Sequence, residues 1–341
     1  MDAFLQRVWY EGRSQWFSLL LLPLSWLFGA VAAVRRTAYR RGWSQSFRVS
    51  RPVVVVGNIT VGGTGKTPMT IWLAERLHSR GVRVGIVLRG YGGTSTRWPR
   101  DVTSETSAEE VGDEAVLLAQ RTGAVVVAGP DRVAAANRAI ERGAQVIVCD
   151  DGLQHYRLVR NLEIAVIDER RGLGNGRLLP AGPLREPPSR LKSVAVKVLT
   201  RRGQPATTSS TIPNAIVTTP TLGDAVSLGA GERRSLQSFV GSPVHAIAGI
   251  GNPQAFFDAL IAAGLTVDAH PLPDHIRLTE AHISFPDGAP VLMTEKDAVK
   301  CRDSMVATRR ANCWAVRLDV AIGEADTQVI DRLLDRLLPT H

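Results

Sequence analysis

Two clusters of residues carry groups that could do chemistry. The first is Thr60-Val61-Gly62-Gly63-Thr64-Gly65-Lys66-Thr67, which follows four consecutive valines, Val53 to Val56. Small residues in such a loop let backbone N–H groups close around phosphate oxygens, and the helix that follows adds a favourable field at its N-terminus. Lys66 can reach β- and γ-phosphates, and the Thr67 hydroxyl can ligate Mg²⁺. The usual P-loop pattern has glycine where this chain has Thr60, with Gly62-Gly63 as the substitute source of flexibility. A glycine-rich strand-to-helix turn without a ligand would share some of these features. The second cluster is Asp150-Asp151-Gly152-Leu153-Gln154-His155, at the end of the apolar run 145–149. Downstream of a P-loop, an apolar strand ending in aspartate is the Walker B arrangement, which places a carboxylate near Mg²⁺. Asp150 is the ligand expected by position, with Asp151 as the alternative. Gln154 and His155 suit contact with substrate or nucleotide.

Weaker candidates flank these. Arg89 opens Arg89-Gly90-Tyr91-Gly92-Gly93 after the apolar run 84–88, as a second wall of a phosphate site or as an ordinary flexible loop. Asp113-Glu114 precede a helical run, where acidic residues also favour the helix field for purely structural reasons.

The elements that must position these groups alternate. Strands are expected at 53–56, 84–88, 124–128, 145–149 and 163–167, with helices after 66 and at 131–142. This is an α/β pattern with a parallel sheet of the P-loop NTPase type, whose ligands gather at the C-terminal strand ends. The polar stretch 94–110 is expected to be a loop. A second, smaller α/β unit follows, with strands near 245–248, 290–293 and 314–318 and a closing amphipathic helix at 326–338. The 341 residues therefore divide into 1–42, an N-terminal membrane anchor with a basic flank; 43–220, a P-loop domain; and 221–341, a smaller domain closing over the site.

The anchor rests on residues 16–34, which carry no charge and are about the length that crosses a bilayer core, although Pro23 and Gly29 interrupt them. Arg35, Arg36, Arg40, Arg41, Arg48 and Arg51 follow without an acidic residue, which points the bulk of the chain to the cytoplasm and suits anionic lipid headgroups. A cleaved signal peptide, a buried helix or a helix lying in the membrane surface are the competing readings. A net charge of +9 favours anionic partners. Nucleic acid is not expected among them, because no aromatic–basic interleaving is seen, and no protein partner is expected. The three scattered cysteines fit a reducing compartment.

In order, GNITVGGTGKTP, RGYGG, VGDEA, DDGLQH, GNGRLLPAGPLRE, AGIGNP, PDH and TEKDAVK resemble the tetraacyldisaccharide 4'-kinase family, the lipid A 4'-kinases. Thr60 is normal in that family, while Ala115 replaces an expected proline. The resemblance implies an enzyme of the bacterial inner membrane, working at the cytoplasmic face. It would use ATP and Mg²⁺ to phosphorylate the 4'-hydroxyl of an acylated glucosamine disaccharide 1-phosphate. It also implies that Asp113 and His275 form a carboxylate–imidazole pair that takes the hydroxyl proton. Arg89, Glu114, Asp151, Gln154, His155 and Glu186 become secondary candidates for substrate or metal contact. Two other classes fit part of the pattern: a membrane-tethered P-loop ATPase switch without a lipid product, and a soluble-substrate P-loop kinase or ligase with an incidental anchor. A GTPase is disfavoured because no N-K-x-D motif is present.

Overall fold

The computed structural model describes residues 3–12, 15–203, 212–274, 276, 278–301 and 312–338. His275 lies outside them. Three helices open the chain: α1 (Ala3–Tyr10), α2 (Gln15–Leu20) and α3 (Leu22–Arg40). The first half then runs β1 (Val53–Gly57), α4 (Lys66–His78), β2 (Val84–Leu88), β3 (Arg100–Val102), α5 (Ala108–Val111), α6 (Asp113–Thr122), β4 (Val125–Ala128), α7 (Arg132–Glu141), β5 (Val146–Asp150), β6 (Leu162–Asp168) and β7 (Val196–Thr200). The second half runs β8 (Ala215–Ser227), β9 (Arg233–Arg234), β10 (Pro243–Ala248), α8 (Pro253–Ala262), β11 (Thr266–Pro271), α9 (Glu280–Ile283), β12 (Val291–Thr294), α10 (Glu295–Cys301), β13 (Cys313–Ile322) and α11 (Glu324–Asp335).

The strands form one mostly parallel sheet in the order β11-β10-β12-β13-β8-β7-β6-β1-β5-β2-β4-β3, with β9 beside β8. Both faces are covered, which is why β1 reads as unbroken valine rather than as an alternating strand. Val54 and Val56 pack into the cluster holding Met69, Leu73 and Leu118; Val53 and Val55 face the opposite cluster, with Ala135 and Ala139. Strand periodicity divides the four between the two faces.

The two halves share this sheet. β8 pairs in parallel with β7 and antiparallel with β13, so one strand joins them. α11 folds back, placing Ile330 and Leu334 in the hydrophobic cluster of the first half.

Three segments differ from their sequence patterns. Residues 94–110, expected as a loop, contain β3, which pairs antiparallel with β4. Its Asp101 is pinned by Arg138 at 3.0 Å and by Arg142. β8 continues through Pro220 because β7 has already ended, pairing only as far as Thr218; the missing proline N–H costs no bond on that side. β11, at the sheet edge, was not recognisable as a strand because most of its side chains are exposed and show no core alternation.

The N-terminal stretch is not one span-length helix. It breaks at Leu21, between α2 and α3. Among the described residues no helix is long and apolar enough to cross a membrane. The uncharged part of α3 ends at Val34 and is roughly 20 Å long, against about 30 Å for a bilayer core.

Candidate active site in the cleft at the strand ends

β1 delivers the chain to Gly57, and the loop to Gly65 turns it into α4, whose first residue is Lys66. Gly62 and Gly65 take positive φ, at 101° and 92°. Thr60 does not. It forms an isolated antiparallel bridge with Leu184, so the position has no need of a glycine. The loop is braced from beneath. Val61 N donates to Pro183 O at 2.9 Å and Arg185 N to Ile59 O at 2.7 Å. Fully buried Asn58 donates to Thr64 Oγ1 at 3.1 Å, and Thr200, at the end of β7, donates to Thr64 O at 3.0 Å.

β5 lies beside β1 with Val56 opposite Asp150, which brings that carboxylate to the foot of the loop. Thr70 Oγ1, on the first turns of α4, donates to Asp150 Oδ1 at 2.8 Å. Burial, then the negative charges of Glu114 and Asp151, push Asp150 up to about 7, although Lys66 and the Thr70 bond pull the other way. Asp151 adopts φ 48° and turns towards the cations. Lys66 Nζ stands 3.2 Å from its Oδ1 and Arg185 3.2 Å from its Oδ2. Burial would raise Asp151, but these two cations outweigh it and hold the carboxyl below its ordinary value.

Gln154 donates to Glu186 Oε2 at 2.9 Å and to Asn58 O at 3.0 Å, while the Tyr156 hydroxyl donates to Glu186 Oε1. The DDGLQH turn and the LPAGPLRE loop are thus clasped together. His155 is pushed down to about 4, first by burial and then by Arg132, Arg160 and Arg35, so its ring is neutral near pH 7. Its buried Nε2 has no hydrogen-bond partner among the described residues.

Asp113 opens α6, buried, and its Oδ1 accepts from Glu114 N at 2.9 Å. Two lysines from α10 approach the other oxygen: Lys296 at 3.7 Å and Lys300 at 3.8 Å. Lys296 also reaches Asp274 at 3.5 Å. Burial would lower Lys296, yet the carboxylates of Asp113, Glu114 and Asp274 raise it above its ordinary value. Lys300 is held by fully buried Asp297 at 3.1 Å.

One cleft of about 2250 Å³ joins these groups. Gly62, Gly63, Thr64, Gly65, Lys66, Thr67, Arg89, Glu114, Asp150, Asp151, Gln154, His155 and Glu186 all line it. So do Lys296 and Asp274 from the second half and Phe28, Val31, Ala32 and Arg35 from α3. Asp113 stands behind this wall, next to Glu114. Sequence reasoning did not single out Asn58, Thr70, Thr200, Lys296 or Lys300. The motif TEKDAVK contained both lysines, but nothing in their spacing shows that α10 meets α6.

α2 and α3 dock on the same LPAGPLRE region with their polar side. Ser18 donates to Ala181 O at 2.5 Å and Ser25 to Leu178 O at 2.9 Å; both serines are buried. Gly29 lets α3 pack on Leu178, since a Cβ there would meet Leu178 Cδ1 at 2.7 Å. The outward side is apolar: Leu20, Leu24, Leu27, Val31 and Val34 are all more than half exposed, as are Trp16 and Trp26.

The family described as LpxK, tetraacyldisaccharide-1-P 4'-kinase, matches residues 17–338. Tetraacyldisaccharide 4'-kinases of Alkalilimnicola ehrlichii and Methylobacillus flagellatus are each 46% identical to this chain. The first aligns over 96% of this chain and 96% of the relative, the second over 99% and 97%. Among solved structures, the apo form of LpxK from Aquifex aeolicus in complex with ATP superposes with a TM-score of 0.79 at 29% identity. That match covers 95% of this chain and 100% of the other.

Proposed function

The chain belongs to the tetraacyldisaccharide-1-P 4'-kinase family, and from that premise we propose how its residues divide the work. It is an ATP-dependent kinase acting on the 4'-hydroxyl of tetraacyldisaccharide 1-phosphate, a lipid A precursor. Phosphoryl transfer is mostly positioning and charge neutralisation. Lys66 and the amides of 62–67 hold the β- and γ-phosphates, and Lys66 exchanges its contact with Asp151 for the nucleotide; Thr60 and Val61, expected to bind it too, instead pair with Leu184 and Pro183 and do not line the cleft.

The donor set fits Mg²⁺: a buried carboxylate crowded by Glu114 and Asp151, with the Thr67 hydroxyl close by in sequence to the loop, offers hard oxygen ligands. Thr67 and Asp150 would hold the ion, which when bound neutralises charge on the β- and γ-phosphates. Asp113, with His275, takes the proton of the attacking hydroxyl. Lys296 supplies positive charge beside Asp113 where the transferring group carries negative charge. Arg89 on the cleft rim and the neutral His155 ring contact substrate, whereas Glu186, tied to Gln154 and Tyr156, sets the shape of the wall.

The observation that carries this reading is the single cleft. It is lined both by the P-loop and by apolar residues of α3 with Arg35, a set suited to an acylated anionic glycolipid. α3 lies on the cytoplasmic surface of the inner membrane with its leucine–valine side in the lipid, and residues 221–341 close over the site. The test is transfer of labelled phosphate from ATP, in detergent, to tetraacyldisaccharide 1-phosphate. Wild type yields labelled lipid, and Lys66→Ala lowers the rate by at least about 10²–10³-fold. ATP turnover with no lipid product would instead favour the switch reading.

A further inference from the structure

Away from the cleft, at the outer edge of the sheet, His245, Asp268 and His270 bring three ligand-type atoms together. The arrangement follows from register. His245 on β10 lies opposite Asp268 on β11, and His270, two residues on, shares that face. His245 Nδ1 is 3.0 Å from His270 Nε2 and 3.2 Å from Asp268 Oδ2, and His270 Nε2 is 3.3 Å from the same oxygen.

We propose that this cluster is a binding site for one divalent transition-metal ion of the zinc type, held by His245 Nδ1, His270 Nε2 and Asp268 Oδ2. Atoms 3.0–3.3 Å apart subtend about 90–105° at an ion bonded to each at about 2.1 Å, between octahedral and tetrahedral values. The tautomer agrees. His245 Nε2 faces both oxygens of Asp287 at 3.1 Å, which draws the ring proton to that nitrogen and leaves Nδ1 as a lone pair. That lone pair points at a second imidazole nitrogen and a carboxylate, three electron-rich atoms that a cation would satisfy together. A carboxylate behind a metal-bound histidine is the usual outer partner.

Phe285 fixes the rings, stacking on His245 at 3.6 Å and lying 4.6 Å from His270. It belongs to the same turn as Asp287, so one turn supplies both the roof and the outer partner. His245 is nearly buried while Asp268 is exposed, so an ion can enter from solvent and retain water on its open side. Two imidazoles with one carboxylate favour zinc-type ions over Mg²⁺, which prefers oxygen. A bound ion would tie β11 to β10 just before the chain reaches Asp274.

The site is independent of the kinase reading. Full-length enzyme, stripped with EDTA and dialysed, is titrated calorimetrically with ZnCl₂ in millimolar Mg²⁺, which occupies oxygen-rich sites. Co²⁺ is used in parallel for its visible absorption. One ion per chain with micromolar or tighter affinity is expected. His270→Gln and Asp268→Asn, both on the accessible side, each weaken it more than tenfold and bleach the Co²⁺ bands, while Lys66→Ala leaves it unchanged. No stoichiometric binding below millimolar metal, or equal binding by wild type and both variants, overturns the proposal.

Discussion

At Asp150 the cost of function is local and measurable. The carboxyl is fully buried next to Glu114 and Asp151, and its folded value near 7 lies above the ordinary 3.8. The folded state therefore holds this proton more tightly than the unfolded state. Its contribution to stability is present below the unfolded value and is lost as pH rises from about 4 through 7. Asp150→Asn, which cannot ionise, should raise the melting temperature of the ligand-free enzyme, and by more at pH 8 than at pH 5, while lipid phosphorylation collapses. A variant no more stable than wild type at pH 8 would show that the carboxylate is relieved by a group other than those in contact with it. Asp113 offers a different signature. Asp113→Asn should lower kcat by about 10²–10³-fold with KM for ATP changed only a few-fold, since a base acts in the transition state and not on nucleotide binding. A wild-type kcat would remove it from proton transfer.

Among the elements, α2 and α3 reverse the usual amphipathic logic. Their serines face protein and their leucines face outward. The exposed Leu24, Leu27, Val31 and Val34 repeat at spacings of three and four, one stripe of the α3 surface, and Leu20 at the end of α2 is exposed as well. With Arg35 and Arg36 beyond it, the stripe suits a helix lying in an anionic interface. Burying each leucine there is worth about 1.5–3 kcal/mol. Leu24→Glu with Leu27→Glu should therefore reduce sedimentation with phosphatidylglycerol vesicles by more than tenfold without lowering the melting temperature, because both side chains already face outward. Unchanged vesicle binding would mean that another surface holds the membrane.

For the whole molecule, ion pairs add side-chain ties between the two halves that share the sheet. Arg121, at the end of α6 and almost fully buried, meets Glu295 of α10 at 2.6 Å, together with Asp319 of β13. Arg76 on α4 and Arg80, just past its end, grip Asp331 of α11, each at 2.5 Å. α4 and α6 start at Lys66 and Asp113, so these contacts fix the nucleotide loop and Asp113 against the half that carries Lys296. Arg121→Ala should destabilise by roughly 2–3 kcal/mol in urea unfolding, below the usual cost of breaking a buried pair because Asp319 keeps partial hydration. The same change should lower kcat by loosening Asp113 against Lys296. A loss of stability with an unaltered kcat would show that the junction serves the fold alone.

The sequence by itself determined the central strands, the phosphate loop and the acidic strand end. Each is specified by neighbours along the chain: an apolar run for a strand covered on both faces, glycines for a tight anion loop, an aspartate where that run stops. It also carried the family resemblance on which the choice of Asp113 rested, since two acids at a helix start have a sufficient local explanation in the helix field. Tertiary structure alone decided the rest. Thr60 needs no glycine because Leu184 pairs with it across the LPAGPLRE loop. The uncharged N-terminal stretch became a broken, docked pair of helices because Ser18, Ser25 and Gly29 find partners far along the chain. Lys296 and Lys300 reached Asp113, and His245 met Asp268 and His270, through sheet order and register. Contacts between distant segments leave no period in the sequence, because packing and hydrogen bonding across the fold, not local backbone preference, bring them together.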